Sequence, residues 1–141
     1  MNQLQRRVAA AQAAVNKFEG QEFVWGKVDC FHIVAFTLKE LGSPLKRAKL
    51  GSYSTPAGAK RVLKNLGYDS LESALNDQLV PIGAASVLPA DIVGLPGEEN
   101  LLALGIALGN GRVLGMVEDH PTVAIIQPLI IPQAWRSPVN G

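Results

Sequence analysis

The residue pattern changes near the middle of the chain, and this change constrains the fold more than any other feature. Up to about residue 80, apolar residues recur at steps of three and four, which is the spacing of amphipathic helices. From Pro81 onward, short apolar and β-branched runs alternate with turn residues, which is typical of strands. This order favours an α+β fold, with N-terminal helices packed on a small antiparallel sheet. We expect a single domain of 141 residues, with a helical half at about 1–80 and a sheet half at about 88–131.

Four helices are predicted in the first half. The second begins at its N-cap Asp29 and ends near Leu41; because it is apolar on nearly every side, we expect it to be central and to bury Ile33, Val34 and Phe36. The third opens at Thr55-Pro56, and Ser70 caps the fourth. The first helix carries an apolar stripe made of Leu4, Val8, Ala11, Val15 and Phe18.

Four strands are predicted in the second half, at residues 92–95, 102–108, 112–117 and 122–127. Turn residues such as Gly109-Asn110-Gly111 separate them closely enough to imply antiparallel hairpins.

Composition excludes several classes of function. A net charge of +1 provides no overall field for nucleic acid or an anionic membrane, and no apolar run is long enough to span a bilayer. A single cysteine permits neither an internal disulfide nor a thiolate zinc site, so we expect no metal and no cofactor. The first residues lack the apolar core of a secretion signal, so we expect synthesis in a reducing compartment. Only 18% of residues are charged, which suggests that a partner covers part of the surface.

Cys30 is the most informative candidate for chemistry. It occupies the first turn of the second helix, where unpaired N–H groups and the helix dipole stabilise a thiolate. A cysteine nucleophile also needs a base, usually histidine, within hydrogen-bond reach. The alternative, which the local sequence favours, is a small buried apolar residue beside an ordinary cap.

The two histidines do not obviously complete a catalytic pair. His32 is about 200° around the helix from Cys30, so we expect a surface or packing residue. His120 lies in a turn and would have to fold back to act as the base; otherwise it is a solvated turn residue. Asp91, just before a strand, is expected to cap or brace a turn.

Three segments together resemble the NlpC-type, papain-like cysteine peptidase superfamily. Trp25-Gly26-Lys27-Val28-Asp29-Cys30 resembles the segment that opens the central helix of that family. Pro89-Ala90-Asp91-Ile92-Val93 is similar to its Pro-Gly-Asp strand, and residues 104–113 are similar to its His-Val-Gly-Ile-Tyr hairpin. The resemblance implies a papain-like NlpC-type fold with Cys30 at the nucleophile position.

The same resemblance implies that the catalytic set is degenerate. The histidine position of the family falls on Ala103, and its third polar position falls near Gly115. Neither residue can accept a proton or orient an imidazole, so Cys30 would be a vestigial nucleophile. If the chain is active, His120 or a residue of a partner chain would have to be the base.

A closer resemblance is to small proteins encoded in bacteriophage tail gene clusters. They share the Trp-Gly-x-x-Asp-Cys start, a stretch seen here at residues 51–59, and a late Ala134-Trp135-Arg136. This implies a structural protein of the virion tail tip or baseplate, made in the host cytoplasm, that binds neighbouring tail proteins, with Trp25 and Trp135 as candidate interface anchors. The alternatives are an active hydrolase that cleaves peptidoglycan peptides during DNA entry, and an unrelated cytoplasmic binding protein.

Overall fold

The described structure consists of four helices followed by a six-stranded sheet. It is a computed structural model that describes residues 1–44, 54–96, 102–116 and 121–140. The helices are α1 (Gln3–Phe18), α2 (Cys30–Glu40), α3 (Pro56–Asn65) and α4 (Leu71–Gln78). The strands are β1 (Val80–Ile82), β2 (Ile92–Leu95), β3 (Ala103–Gly109), β4 (Arg112–Gly115), β5 (Ala124–Ile126) and β6 (Gln133–Arg136), with a short 3₁₀ turn at Ala84–Ser86.

All neighbouring strands pair antiparallel, in the order β1-β6-β2-β3-β4-β5. The predicted α+β class is therefore confirmed. Strands β1 and β6, the first and last strands in sequence, were not predicted. Strand β1 contains Pro81 and β6 follows Pro132, and proline argues against a strand. Trp135 in β6 pairs with both Pro81 and Ile92, so β6 lies between β1 and β2.

The predicted helix starts are confirmed because each depends on a local cap. Asp29, Thr55 and Ser70 have extended backbones, and their side chains accept from the backbone N–H three residues later. Asn2 caps α1 in the same way.

The predicted apolar stripe of α1 is wrong in part. Leu4 and Val8 are 56% and 51% exposed. The buried face is rotated, because small alanine side chains let α1 approach α2 and β3 closely, and because Arg7 reaches a buried carboxylate. The buried residues of α1 are Arg7, Ala10, Ala11, Ala14 and Phe18.

Helix α2 is central, as predicted, but not every expected side chain is fully buried. Ile33, Val34 and Leu38 have no exposed surface. Phe36 is only half-buried: its ring meets Phe18 edge-on at 5.5 Å, and the Lys17 ammonium lies 4.8 Å from its centre. The expectation for Phe36 is therefore corrected to a position at the rim of the core.

The sheet is buried on both faces, which the sequence pattern did not predict. The helices cover one face. On the other, a smaller cluster forms where chain segments beside the strands fold over it. It comprises Val93, Ala107, Val113 and Ala134, with Ile82, Val87, Ile126 and Ile131 packed against them.

A buried ion-pair network joins α1 to two strands. Asp91 precedes β2 and is fully buried; its Oδ1 lies 2.8 Å from Arg7 Nη1 and its Oδ2 lies 3.0 Å from Arg136 Nη1. The backbone N–H groups of Ser137 and Leu88 donate to the same carboxylate, each at 2.9 Å. Asp91 braces the turn from Leu88, as predicted, but it also connects three elements.

Candidate functional site

The N-terminus of α2 is built around the buried carboxylate of Asp29. Its Oδ2 accepts from the N–H of Gly26 at 2.8 Å, and its Oδ1 accepts from the N–H of His32 at 2.9 Å. A short turn leads into the cap, with a bridge between Val24 and Val28 and a φ of 83° at Gly26, a conformation that favours glycine. The Trp-Gly-x-x-Asp-Cys pattern thus makes a turn that presents Cys30 as the first helical residue.

Desolvation governs the ionisation of the Cys30 thiol. Desolvation raises the pKa of the thiol from its ordinary value of 9.0 to about 11, and the negative charge of Asp29 acts in the same direction. Backbone hydrogen bonds, chiefly from Leu104, lower the pKa but do not offset burial. The backbone N–H groups of Cys30 and Phe31 at the helix start lower the pKa, as expected, but desolvation by the apolar core on which Cys30 packs outweighs them.

The structure brings the segments of the predicted site together. Leu104, whose backbone bonds to the Cys30 thiol, directly follows Ala103 at the start of β3. Gly115 ends the neighbouring strand β4. Cys30 therefore lies next to the strand that carries the histidine position of the resembled family. In this chain, that position holds the methyl side chain of Ala103.

Gly115 is not required by the fold, whereas Gly105 is. A Cβ at Gly115 would meet its nearest atom, Gly105 Cα, at 3.8 Å, but a Cβ at Gly105 would collide with Val113 Cγ1 and lie 3.0 Å from Leu114 O. We expect Gly105→Ala to lower the free energy of unfolding by about 1–3 kcal/mol through overpacking, and Gly115→Ala to change it by less than about 0.5 kcal/mol. Urea unfolding of both variants checks this; equal losses would contradict it.

The backbone of the Pro89-Ala90-Asp91 segment adopts a conformation that suits glycine at its middle position. Ala90 has a φ of 70°, in the left-handed region that favours glycine, which is the residue of the resembled Pro-Gly-Asp. Its N–H donates to Ala107 O at 2.8 Å, so this conformation locks the start of β2 against β3.

Of the two histidines, the structure describes only His32. His32 is partly exposed at the start of α2, and its Nδ1 lies 2.7 Å from Asp29 Oδ1. This pair was not predicted, although an N-cap residue followed by a polar residue three positions later is a known signal of such a contact. His120 lies outside the described residues, as does part of the 51–59 stretch.

The two tryptophans also differ. Trp25 is half-buried and meets Phe23 edge-on at 4.9 Å. Trp135 is 2% exposed, and its Nε1 donates to Asn76 Oδ1 at 2.7 Å. The prediction of an interface anchor is wrong for Trp135, because the missed strand β6 carries it into the core.

Two kinds of feature are absent from the described residues. In these parts of the chain, no group of three or more His, Cys, Asp or Glu residues is arranged to hold a metal ion. No helix within the same ranges is both long and apolar enough to cross a membrane.

The arrangement of helices and strands is similar to that of NlpC/p60 domains. The chain is similar to the crystal structure of the NlpC/p60 domain of the peptidoglycan hydrolase SagA, with a TM-score of 0.60 and 16% identity over 92% of this chain and 97% of that one. It is also similar to NlpC2 from Trichomonas vaginalis, with a TM-score of 0.63 and 16% identity over 97% of this chain and 48% of that one.

At 16% identity, these likenesses show that the chain has the NlpC/p60 fold. By its sequence, the chain belongs to the family described as a domain of unknown function, DUF6950, which matches residues 2–137. No curated protein matches.

Proposed function

We propose that this chain is a catalytically inert, NlpC/p60-like structural module of a bacteriophage tail tip or baseplate, where it binds neighbouring tail proteins. The proposal that the module is inert rests on the ionisation of Cys30. Its thiol has a pKa of about 11 and lies beside the strand that bears Ala103.

The ionisation state of Cys30 disfavours catalysis. With a pKa of about 11, only about one thiol in ten thousand is ionised at pH 7. A cysteine peptidase overcomes such a deficit with an imidazole that takes the proton. Loss of the base from a catalytic unit lowers the rate by about a thousandfold or more. Ala103 cannot take this role, and the Nδ1 of His32 faces Asp29.

Exposed apolar side chains support a binding role. Leu129 and Ile130 are 102% and 75% exposed and adjacent in sequence. Exposed apolar patches commonly mark contact surfaces with other proteins. The assignment to a phage tail is supported by the resemblance of residues 23–30 and 134–136 to tail-cluster proteins.

A peptidoglycan hydrolase is the second candidate, and the SagA likeness favours it. In that case Cys30 would attack a peptide bond of the cell wall, with His120 or a partner's residue as the base. The two candidate functions differ in the role of the Cys30 sulfur, which a hydrolase needs as its nucleophile and a structural module does not.

We expect no release of products when the purified chain is incubated with muropeptides, and no difference between it and Cys30→Ala. A phage encoding Cys30→Ala should give the wild-type titre, and the wild-type chain should co-purify with tail particles. Cleavage that disappears in Cys30→Ala would establish the hydrolase instead. A chain that is absent from purified tails would overturn the structural role.

A further inference from the structure

Arg136 belongs to a network in which two guanidinium groups share one carboxylate. Arg7 Nη1 and Arg136 Nη1 lie 2.8 Å and 3.0 Å from the two oxygens of Asp91. Among the described residues, no other Asp or Glu lies within ion-pair distance of either guanidinium. The three side chains therefore carry one positive charge in excess, and a partly desolvated charge is stabilised by a counter-ion.

The excess charge is accessible at Arg136. The side chain of Arg7 is 6% exposed, whereas that of Arg136 is 29% exposed. Within the described residues, only one of the five N–H groups of Arg136 forms a hydrogen bond, from Nη2 to Ser86 O at 2.8 Å. Its Nη1 is buried and forms none in these ranges. A guanidinium with unused N–H groups matches the geometry of a carboxylate.

Two exposed aliphatic side chains lie beside this guanidinium. Val80 is the cross-strand partner of Arg136, so their side chains lie on the same face of the sheet, and Val80 is exposed. Leu88 is also exposed, and its backbone N–H donates to the same Asp91 oxygen that Arg136 approaches. A cation next to two apolar groups fits a ligand that has an anionic end and an aliphatic body.

The composition of this half of the chain disfavours a polyanion as the ligand. From residue 67 onward, the sequence has eight Asp and Glu residues and only two basic residues, Arg112 and Arg136. A phosphodiester chain or an anionic membrane needs several cations close together, and it is repelled by an acidic surface. A ligand with a single negative charge matches the single positive charge in excess.

We propose that Arg136 binds a carboxylate carried by an aliphatic group, which packs against Val80 and Leu88. Two sources share this chemistry: the C-terminal residue of a partner protein and a free aliphatic acid. This site goes beyond the proposed function, because neither Cys30 nor a tail assembly enters the argument for it. A ligand of this size binds weakly, and we expect a dissociation constant of about 1–10 mM for a short aliphatic acid.

NMR titration of the full ¹⁵N-labelled chain tests this site, at pH 7 and constant ionic strength because salt screens exposed charges. The reporters are the Nε–H signal of Arg136 and the backbone N–H signals of Ser86 and Leu88. The probes are acetate, isovalerate, and the peptide acetyl-Ala-Ala-Leu with either a free C-terminal carboxylate or a C-terminal amide.

Isovalerate and the peptide acid should shift the reporters, and the peptide amide should not. Acetate should bind at least about fivefold more weakly than isovalerate, because it lacks the aliphatic group. A peptide acid that binds more tightly than isovalerate would identify a protein C-terminus as the source of the ligand. Any other order of these two affinities would identify a free acid.

The variants separate the charge from the aliphatic contact. Arg136→Gln should abolish binding, and Arg112→Gln is the matched control, because Arg112 is exposed in β4 and forms no ion pair within the described residues. Val80→Thr/Leu88→Ser should weaken isovalerate by about fivefold and leave acetate unchanged. This double variant keeps the ion-pair network, so it tests the site even if Arg136→Gln does not fold.

Four results would overturn the inference. The first is the absence of any shift with isovalerate up to about 50 mM. The second is equal binding of the peptide amide and the peptide acid, which would show that the carboxylate is not recognised. The third is an equal loss in Arg112→Gln and Arg136→Gln, which would indicate unspecific attraction of anions. The fourth is binding of isovalerate no tighter than that of acetate, which would exclude the aliphatic contact.

Discussion

Replacing Asp91 with asparagine is expected to lower the free energy of unfolding by about 3–5 kcal/mol, the usual cost of removing one partner from a buried ion pair. The carboxylate is fully buried, and both oxygens are in use: Arg7 and Ser137 bond to Oδ1, and Leu88 and Arg136 lie at Oδ2. An amide keeps the shape but turns N–H donors toward guanidinium and backbone N–H groups, and it leaves the buried Arg7 charge without its counter-ion.

Urea unfolding followed by circular dichroism measures this loss. Asp69→Asn is the matched control, because Asp69 is exposed and the same chemical change there should cost less than about 0.5 kcal/mol. Arg7→Gln completes a double-mutant cycle with Asp91→Asn, and the coupling should be at least about 1 kcal/mol if the pair acts as a unit. A loss below about 1 kcal/mol for Asp91→Asn would mean that the network contributes little.

This network illustrates the limit of prediction from the sequence. Caps are local, so Asp29, Thr55 and Ser70 could be recognised from a few neighbouring residues. Arg7 and Asp91 are 84 positions apart, and only the packing of α1 on the sheet brings them together. The same packing exposes Leu4, which the helical pattern alone would have buried.

The sequence identified both segments of the candidate site and predicted that they lie together. The resemblance identified Cys30 and the histidine position at Ala103, and the backbone bond from Leu104 to the thiol places these two segments side by side. The strand that carries Trp135 was missed, because it follows Pro132 and its paired residues in β1 and β2 lie 39 or more positions earlier in the chain.

The ionisation of Cys30 could not be predicted from its neighbours in sequence. The helix start favours the thiolate through groups within a few residues, whereas burial disfavours it through side chains from α2 and the sheet. Which effect is larger depends on the tertiary packing, and burial is larger here.

The reactivity of Cys30 toward iodoacetamide is therefore expected to be low at neutral pH and to rise about tenfold per pH unit up to about pH 11. Only the thiolate reacts, and a pKa of about 11 leaves about a hundredfold less of it at pH 7 than the ordinary value of 9.0 would. Mass spectrometry of the labelled chain over a pH series measures both the rate and its midpoint.

The double variant Cys30→Ala/Ala57→Cys is the matched control, because residue 57 is exposed and also lies in the first turn of a helix, α3. It keeps the helix-start effect and removes burial, so its thiol should react at least about a hundredfold faster at pH 7. Similar rates at the two positions, or a midpoint for Cys30 below pH 9, would mean that an unidentified group deprotonates this sulfur. This result would contradict the proposal of an inert module and support the hydrolase.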